Sequence, residues 1–191
     1  PTAGNAIGTW ASSFGDKINV IVSNNDGMGM AMFNAWSKEK GVPTFGYDAN
    51  SDAVEAIGQG YGGTISQNPA VQAYLTLRLL RNVFDGVDIN TGIAEADDAG
   101  NVLSEDDYKY VEEDRSYYAM NLAVTADNYK DFLDATALYK TAQSQIKADT
   151  KKVWLSTYNS ADNFLGATYK PLLKKYEKLL DLEIDYVDGD G

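Results

Sequence analysis

The chain contains neither cysteine nor histidine among its 191 residues. The lack of cysteine excludes a disulfide framework and a thiolate metal site. The lack of histidine removes the commonest general base and the commonest transition-metal ligand, so no Ser-His-Asp or Cys-His catalytic arrangement can form within the chain. Long apolar runs are also missing, and none approaches the length of a membrane span.

Positive charge is scarce as well. Lys and Arg number 16 against 28 Asp and Glu, which gives a formal net charge of −12. Such a surface repels phosphate backbones and anionic membrane faces, and this argues against nucleic acid as a partner. A neutral ligand remains compatible with the charge.

Short β-branched runs alternate with helical patterns along most of the chain. We predict strands at 18–23, 42–47, 63–66, 117–124, 153–158 and 182–187, and helices at 28–40, 51–59, 69–84, about 127–147 and 162–180. Ser51 is the predicted N-cap of the second helix. This alternation is typical of an α/β protein with doubly wound parallel sheets. We expect all three tryptophans in the core: Trp10, Trp36 and Trp154.

Residues 86–116 interrupt this rhythm. They are acidic and hold three glycines, and we interpret them as a long surface excursion. A calcium loop is the alternative, but the spacing lacks the alternating oxygen ligands and central glycine of such a site. A solvated acidic face is favoured.

Polar clusters follow the carboxyl ends of four predicted strands, the edge at which open parallel sheets bind ligands. The clusters are residues 24–26, 48–50, 67–68 and 158–164. Carboxylates accept hydrogen bonds from sugar hydroxyls, amides both donate and accept, and aromatic rings stack on the apolar face of a pyranose. Any one cluster could consist only of turn and helix-cap residues, but four at one edge favour a ligand.

Three segments resemble the periplasmic galactose/glucose-binding protein family. They are residues 18–30, 42–50 and 63–68, which run Ile-Asn-Val-Ile-Val-Ser-Asn-Asn-Asp-Gly-Met-Gly-Met, Val-Pro-Thr-Phe-Gly-Tyr-Asp-Ala-Asn and Gly-Thr-Ile-Ser-Gln-Asn. The resemblance implies that Asn25, Asp48 and Gln67 hydrogen-bond a sugar, with Asn68 as the alternative to Gln67.

Two further segments resemble the two ends of that family's chain. Residues 117–132 are similar to its end, and the segment from Tyr158 to Phe164 is similar to its beginning. The resemblance implies that Tyr158 lies at the sugar, Asp162 bonds a hydroxyl and Phe164 stacks on the ring. It also implies a circularly permuted order of segments, although a tandem repeat cut in mid-copy would look the same.

The expected fold is therefore periplasmic-binding-protein-like, α/β with doubly wound parallel sheets in two lobes, permuted in order and incomplete. Residues 1–68 are expected to form part of the C-terminal lobe. Residues 69–116 hold a hinge crossing, a helix that packs on the N-terminal lobe, and the acidic excursion. Residues 117–132 return to the C-terminal lobe, 133–152 form a linker helix, and 153–191 form the first strand–helix–strand unit of the N-terminal lobe.

The resemblance implies an extracytoplasmic solute-binding protein, periplasmic or a surface-anchored lipoprotein, that binds a hexose (glucose or galactose) between two lobes for ATP-driven import. The expected partners are the hexose, the membrane permease of an ABC importer and the missing half of the same fold. No cofactor, metal or enzymatic activity is expected. The alternatives are a sugar-sensing receptor domain and a glycoside hydrolase that uses Asp48 and Asp162 as its carboxylate pair.

Overall fold

The computed structural model describes residues 2–96, 100, 102–134, 149–157, 159 and 161–189. These residues form two compact units, which are described separately. The first unit holds the chain up to Gln67 together with 121–134, and the second holds Asn68–Met120 together with 149–189. Within the described residues, no helix is both long enough and apolar enough to span a bilayer.

The first unit alternates helices and short strands. Its elements are α1 (Ala3–Phe14), a 3₁₀ turn (Gly15–Lys17), β1 (Ile21–Val22), α2 (Asp26–Met32), which continues through a π-helical stretch (Phe33–Ser37) into α3 (Lys38–Lys40), β2 (Thr44–Phe45), α4 (Ser51–Ile57), β3 (Thr64–Ser66), β6 (Leu122–Val124) and a 3₁₀ turn (Tyr129–Phe132).

Backbone hydrogen bonds connect the four strands of this unit in the order β1, β2, β3, β6. Strands β1 and β2 are parallel, with Ile21 opposite Thr44. Phe45 and Gly63 form a parallel bridge that joins β2 to β3. Strand β6 pairs with β3 in the antiparallel direction. The carboxyl ends of β1, β2 and β3 therefore lie at one edge, as the α/β prediction requires.

The second unit is built around one long helix. Its elements are α5 (Pro69–Asp85), β4 (Tyr108–Val111), β5 (Ser116–Ala119), β7 (Lys151–Thr157), a π-helical stretch (Phe164–Tyr169), α6 (Lys170–Leu179) and β8 (Leu182–Asp188). Strands β4 and β5 form an antiparallel pair, whereas β7 and β8 are parallel over seven residue pairs.

Helix α5 has clear start and stop signals. Pro69 occupies its first turn, where the missing N–H costs no helical hydrogen bond. Gly86 ends it in the left-handed conformation, with φ 65°. Its buried face packs in one core with α6, where Tyr74 meets the ring of Tyr176 at 5.3 Å between centroids, and Leu173 is fully buried.

Several sequence predictions are wrong in detail. Residues 86–116 are not wholly a surface excursion, because Ile93 and Leu103 are buried in the core of the second unit and 108–111 form β4. The predicted strand at 117–124 is two strands. Strand β5 pairs with β4 in the second unit and β6 pairs with β3 in the first, because side-chain alternation is the same whichever strand is the partner.

Other corrections concern helix starts and tryptophans. The helix predicted from about Asp127 begins instead as a short 3₁₀ turn, and residues 135–148 of it and of the predicted linker lie outside the described residues. The N-cap of α4 is Asn50, one residue before the predicted Ser51. Trp10 is 46% exposed and Trp154 is 79% exposed, so neither is a core residue.

Arg81 is the main polar anchor inside the second unit. Its side chain is fully buried, and it forms a two-pronged ion pair with Asp85 at 2.9 and 3.0 Å. Its remaining nitrogen donates to the backbone oxygens of Leu180 and Asp181. The guanidinium thus ties α5 to the turn between α6 and β8.

We expect Arg81→Met to lower the free energy of unfolding by about 3–5 kcal/mol, because it removes one partner of a buried ion pair. Lys152→Met is the matched control, since Lys152 pairs with Glu183 at the surface, and it should cost only about 0–1 kcal/mol. Urea denaturation of both variants measures the difference. Equal costs would show that the Arg81 network does not hold the unit together.

Candidate functional site

Three polar segments meet at the carboxyl edge of β1, β2 and β3. The backbone N–H of Asp26 donates to the oxygen of Tyr47 at 2.8 Å, so the turn after β1 lies against the turn after β2. The N–H of Asp48 donates to the oxygen of Ile65 at 2.9 Å, which fixes that turn to β3. The edge therefore brings together Asn25, Asp48 and Gln67, all three only partly buried.

Asp48 and Gln67 interact directly. The side-chain amide of Gln67 donates to Asp48 Oδ1 at 2.6 Å. This hydrogen bond to an ionised acceptor orients the carboxylate, which can accept several hydrogen bonds at once. The pair offers a neighbouring hydroxyl group a negatively charged acceptor and an amide in a fixed arrangement.

Asn25 has a structural role in addition to any contact with a ligand. It is the N-cap of α2, and its Oδ1 accepts from the N–H of Met28 at 2.9 Å. Because the helix takes the side-chain oxygen, the amide nitrogen is the group that Asn25 would present to a ligand. Asn25 would thus donate where Asp48 accepts.

Asn68, the alternative to Gln67, is only 1% exposed. Its side-chain amide donates to the backbone oxygen of Asp107 at 3.5 Å within the second unit. Of the two neighbouring residues, Gln67 is the one that the first unit holds beside Asp48.

Nothing in the sequence distinguishes Asp26 from the other residues of its cluster, yet Asp26 is the central residue of this edge. Its carboxylate is fully buried. Its Oδ2 accepts from the N–H of Asn50 and from the hydroxyl of Thr64, both at 2.9 Å, and its Oδ1 accepts from Tyr61 at 3.4 Å. Burial raises the pKa of Asp26 to about 6, although the hydrogen bonds from Asn50 and Thr64 oppose the rise.

Gly46 allows the chain to approach this carboxylate. A Cβ at position 46 would lie 2.2 Å from Asp26 Oδ1 and 2.4 Å from the hydroxyl of Tyr61. Only glycine leaves room for both groups, since neither distance is compatible with a side chain. Gly46 was visible in the sequence as part of the second motif, but its neighbour across the turn was not.

The second unit holds the remaining predicted site residues. Asp162 Oδ1 accepts from the N–H of Leu165 at 2.9 Å and so caps the π-helical stretch that follows. The ring of Phe164 stacks on Tyr169 with 6.0 Å between centroids and 18° between planes. Tyr158 lies outside the described residues.

No cluster of three or more carboxylates suited to a metal ion occurs in the ranges that the structure covers.

Comparisons with known proteins agree with the fold. Residues 2–88 match a family model described as a periplasmic binding protein domain, and residues 150–191 match a second model with the same description. Together these ranges cover more than half of the chain. The chain belongs to the periplasmic binding protein family.

Two curated relatives are similar over part of their length. The xylitol-binding protein of Mycolicibacterium smegmatis is 34% identical over 90 residues, which are 46% of this chain and 26% of the relative. The D-galactose/methyl-galactoside binding periplasmic protein MglB of Haemophilus influenzae is 29% identical over 130 residues, 66% of this chain and 35% of the relative. The chain thus matches about a quarter to a third of each relative's length.

A solved structure has a similar fold. The twin-arginine translocation pathway signal protein from Burkholderia phytofirmans has a TM-score of 0.50 and 19% identity, over 75% of this chain and 43% of that one. The predicted α/β, periplasmic-binding-protein-like fold class is confirmed.

The buried Asp26 should make stability depend on pH. Because its pKa rises from 3.8 to about 6 on folding, the folded state holds this proton more tightly than the unfolded chain does. The stabilisation that comes from this tighter proton binding is therefore fully present below about pH 4, and it is lost as pH rises through about 6.

Asp26→Asn removes this titration while keeping the shape of the side chain. The free energy of unfolding of the wild type minus that of the variant should fall by on the order of 2–3 kcal/mol between about pH 4 and pH 7. Urea denaturation at a series of pH values measures this difference. A difference that stays constant or grows with pH would contradict a buried carboxyl group with a raised pKa.

Proposed function

We propose that the protein is an extracytoplasmic solute-binding protein whose ligand is a neutral hexose, glucose or galactose. The observation that carries the proposal is the Asp48–Gln67 pair beside Asn25, at the carboxyl edge of three parallel strands. A charged acceptor, an amide and an N-capping asparagine whose side-chain oxygen is taken by the helix form the set of groups that neighbouring sugar hydroxyls require.

The names of the two relatives support this class of ligand. One is named for xylitol and the other for galactose and methyl-galactoside. All three ligands are uncharged and carry neighbouring hydroxyls. An uncharged ligand also avoids repulsion from a chain with net charge −12.

Asp162 and Phe164 are proposed as further ligand-binding residues, with Tyr158 beside them in sequence. The proposal includes the permuted order of segments and the need for the other half of the same fold. It also includes delivery of the sugar to the membrane permease of an ATP-driven importer, from the periplasm or from a lipid anchor at the cell surface.

A glycoside hydrolase that uses Asp48 and Asp162 is the weaker proposal. Asp48 is oriented by an amide donor and Asp162 caps a helical stretch, which are roles of binding and of structure. The matching family models describe binding domains. We therefore expect no turnover of glycosides.

Isothermal calorimetry of the full-length gene product tests the ligand class. Glucose and galactose should be compared with xylitol, ribose and glycine. We expect heat of binding with at least one hexose and none with glycine. Binding of glycine without binding of any sugar would contradict the proposal.

Single substitutions test the residues. Asp48→Ala and Asp162→Ala should each weaken sugar binding by roughly 1.5–3 kcal/mol, the scale of a charge-assisted hydrogen bond, which is about tenfold or more in affinity. Phe164→Ala should weaken binding through lost stacking. Asp52→Ala is the matched control, because Asp52 is an exposed carboxylate four residues from Asp48, and it should leave affinity unchanged. If all three site variants bind as the wild type does, the site lies elsewhere.

A further inference from the structure

The backbone directly after β2 is strained. Asp48 has φ 109° and Ala49 has φ 54°, and neither residue is glycine. Backbone in this region costs on the order of 1–3 kcal/mol per residue and persists only where the surroundings enforce it. One of the strained residues, Asp48, carries the carboxylate proposed to bind the ligand. The contacts that enforce the strained backbone therefore also determine where this carboxylate lies.

Three consecutive backbone N–H groups of this strained turn donate hydrogen bonds. The N–H of Asp48 donates to a backbone oxygen of β3 at 2.9 Å. The N–H of Ala49 donates to the hydroxyl oxygen of Thr64 at 3.2 Å, and that of Asn50 donates to Asp26 Oδ2 at 2.9 Å. Two of the three bonds therefore go to side chains, and substitution can remove them without breaking the sheet.

The two acceptors act as one unit. The hydroxyl of Thr64 donates its own proton to the same Asp26 Oδ2, which leaves its oxygen to accept from Ala49. Asp26 is fully buried and Thr64 is only 4% exposed. Neither side chain is exposed to a ligand at the edge, so any effect on binding must pass through the backbone that they hold.

We propose that Asp26 and Thr64 are positioning residues that hold Asp48 and Ala49 in the left-handed conformation and thereby direct the Asp48 carboxylate toward Gln67 and the ligand. The part of this proposal that concerns the ligand rests on the proposed function. The part that concerns the backbone and the Asp48–Gln67 contact does not.

Titration of the Asp26 carboxyl group distinguishes a positioning role from a purely space-filling one, because a residue that only fills space would cause no change with pH. Burial raises the pKa of Asp26 to about 6, and the negative charge of Asp48 adds to the rise. The hydroxyl of Tyr61 also faces the carboxylate, and burial and Asp26 raise the pKa of Tyr61, so it stays a neutral donor. Protonation of Asp26 weakens it as an acceptor for Asn50 and Thr64, and this should loosen the turn.

Nuclear magnetic resonance of ¹⁵N-labelled protein without ligand tests the proposal. In the wild type, the amide resonances of Ala49 and Asn50 and the side-chain amide resonances of Gln67 should shift together with pH, with a midpoint near that of Asp26. In Asp26→Asn this common shift should be lost. In Thr64→Val, which keeps the shape but removes the hydroxyl, the Ala49 and Gln67 resonances should be displaced at every pH.

Thr44→Val is the matched control. Thr44 is a fully buried threonine of the neighbouring strand, and its hydroxyl bonds Ser37 at 2.6 Å. This variant loses a buried hydrogen bond of the same kind but should keep the wild-type resonance positions and the wild-type pH profile of Gln67. If Asp26→Asn does not fold, the comparison of Thr64→Val with Thr44→Val tests the positioning role by itself.

The inference is overturned if the shift of Gln67 persists in Asp26→Asn, or if Thr44→Val displaces Gln67 as much as Thr64→Val does. Calorimetry with galactose and glucose then separates the two proposals. Thr64→Val should weaken binding and Thr44→Val should not. Failure of every sugar to bind would refute the proposed function. The resonance experiment would still test the positioning of Asp48, because it does not depend on a ligand.

Discussion

The first unit depends on one buried carboxylate. Where β1, β2 and β3 end, the chain turns three times at one edge of the sheet, and the backbone N–H groups that are buried there need acceptors. Asp26 supplies the acceptor for one of them, the N–H of Asn50. It accepts from Asn50 and Thr64, and its own N–H fixes the turn after β2. Without this acceptor, the buried N–H of Asn50 and the buried hydroxyl of Thr64 would each lose a partner, at a cost of about 1–3 kcal/mol for each group.

The same carboxylate has a cost of its own. Its burial opposes ionisation, which is why its pKa is raised to about 6. The protein retains it because a charged acceptor holds the strained backbone of Asp48 and Ala49 more firmly than a neutral one would. Burial of the charged carboxylate therefore lowers stability, but it fixes the arrangement of the groups at the strand edge. A binding protein benefits from such an arrangement, because a preorganised site loses less entropy when the ligand binds.

Much of this architecture follows from local signals in the sequence. Helix α5 was predicted at 69–84 and extends from Pro69 to Asp85, because its proline start and glycine end are local signals. The edge that holds Asn25, Asp48 and Gln67 was predicted because parallel strands place their carboxyl ends together. The residues that surround Asp26 could not be predicted, because the bonds that join it to Asn50 and Thr64 span 24 and 38 residues.

Tertiary contacts that the local sequence pattern does not specify explain two of the errors. The run from Tyr117 to Val124 has the alternation of one strand, but it contributes to two different sheets, since alternation carries no information about the partner. Trp154 is apolar and lies in a strand, yet it is on the face of β7 turned away from the core, where it donates to Asp185. In both cases the local pattern was correct and the tertiary partner decided the outcome.

A crystal structure of the full-length gene product, grown with galactose or glucose, tests the central claim most directly. We expect a pyranose with a hydroxyl within hydrogen-bonding distance of the Asp48 carboxylate, with Gln67 still bonded to that carboxylate and the backbone of Asp48 and Ala49 still left-handed. A sugar bound away from Asp48 would contradict it.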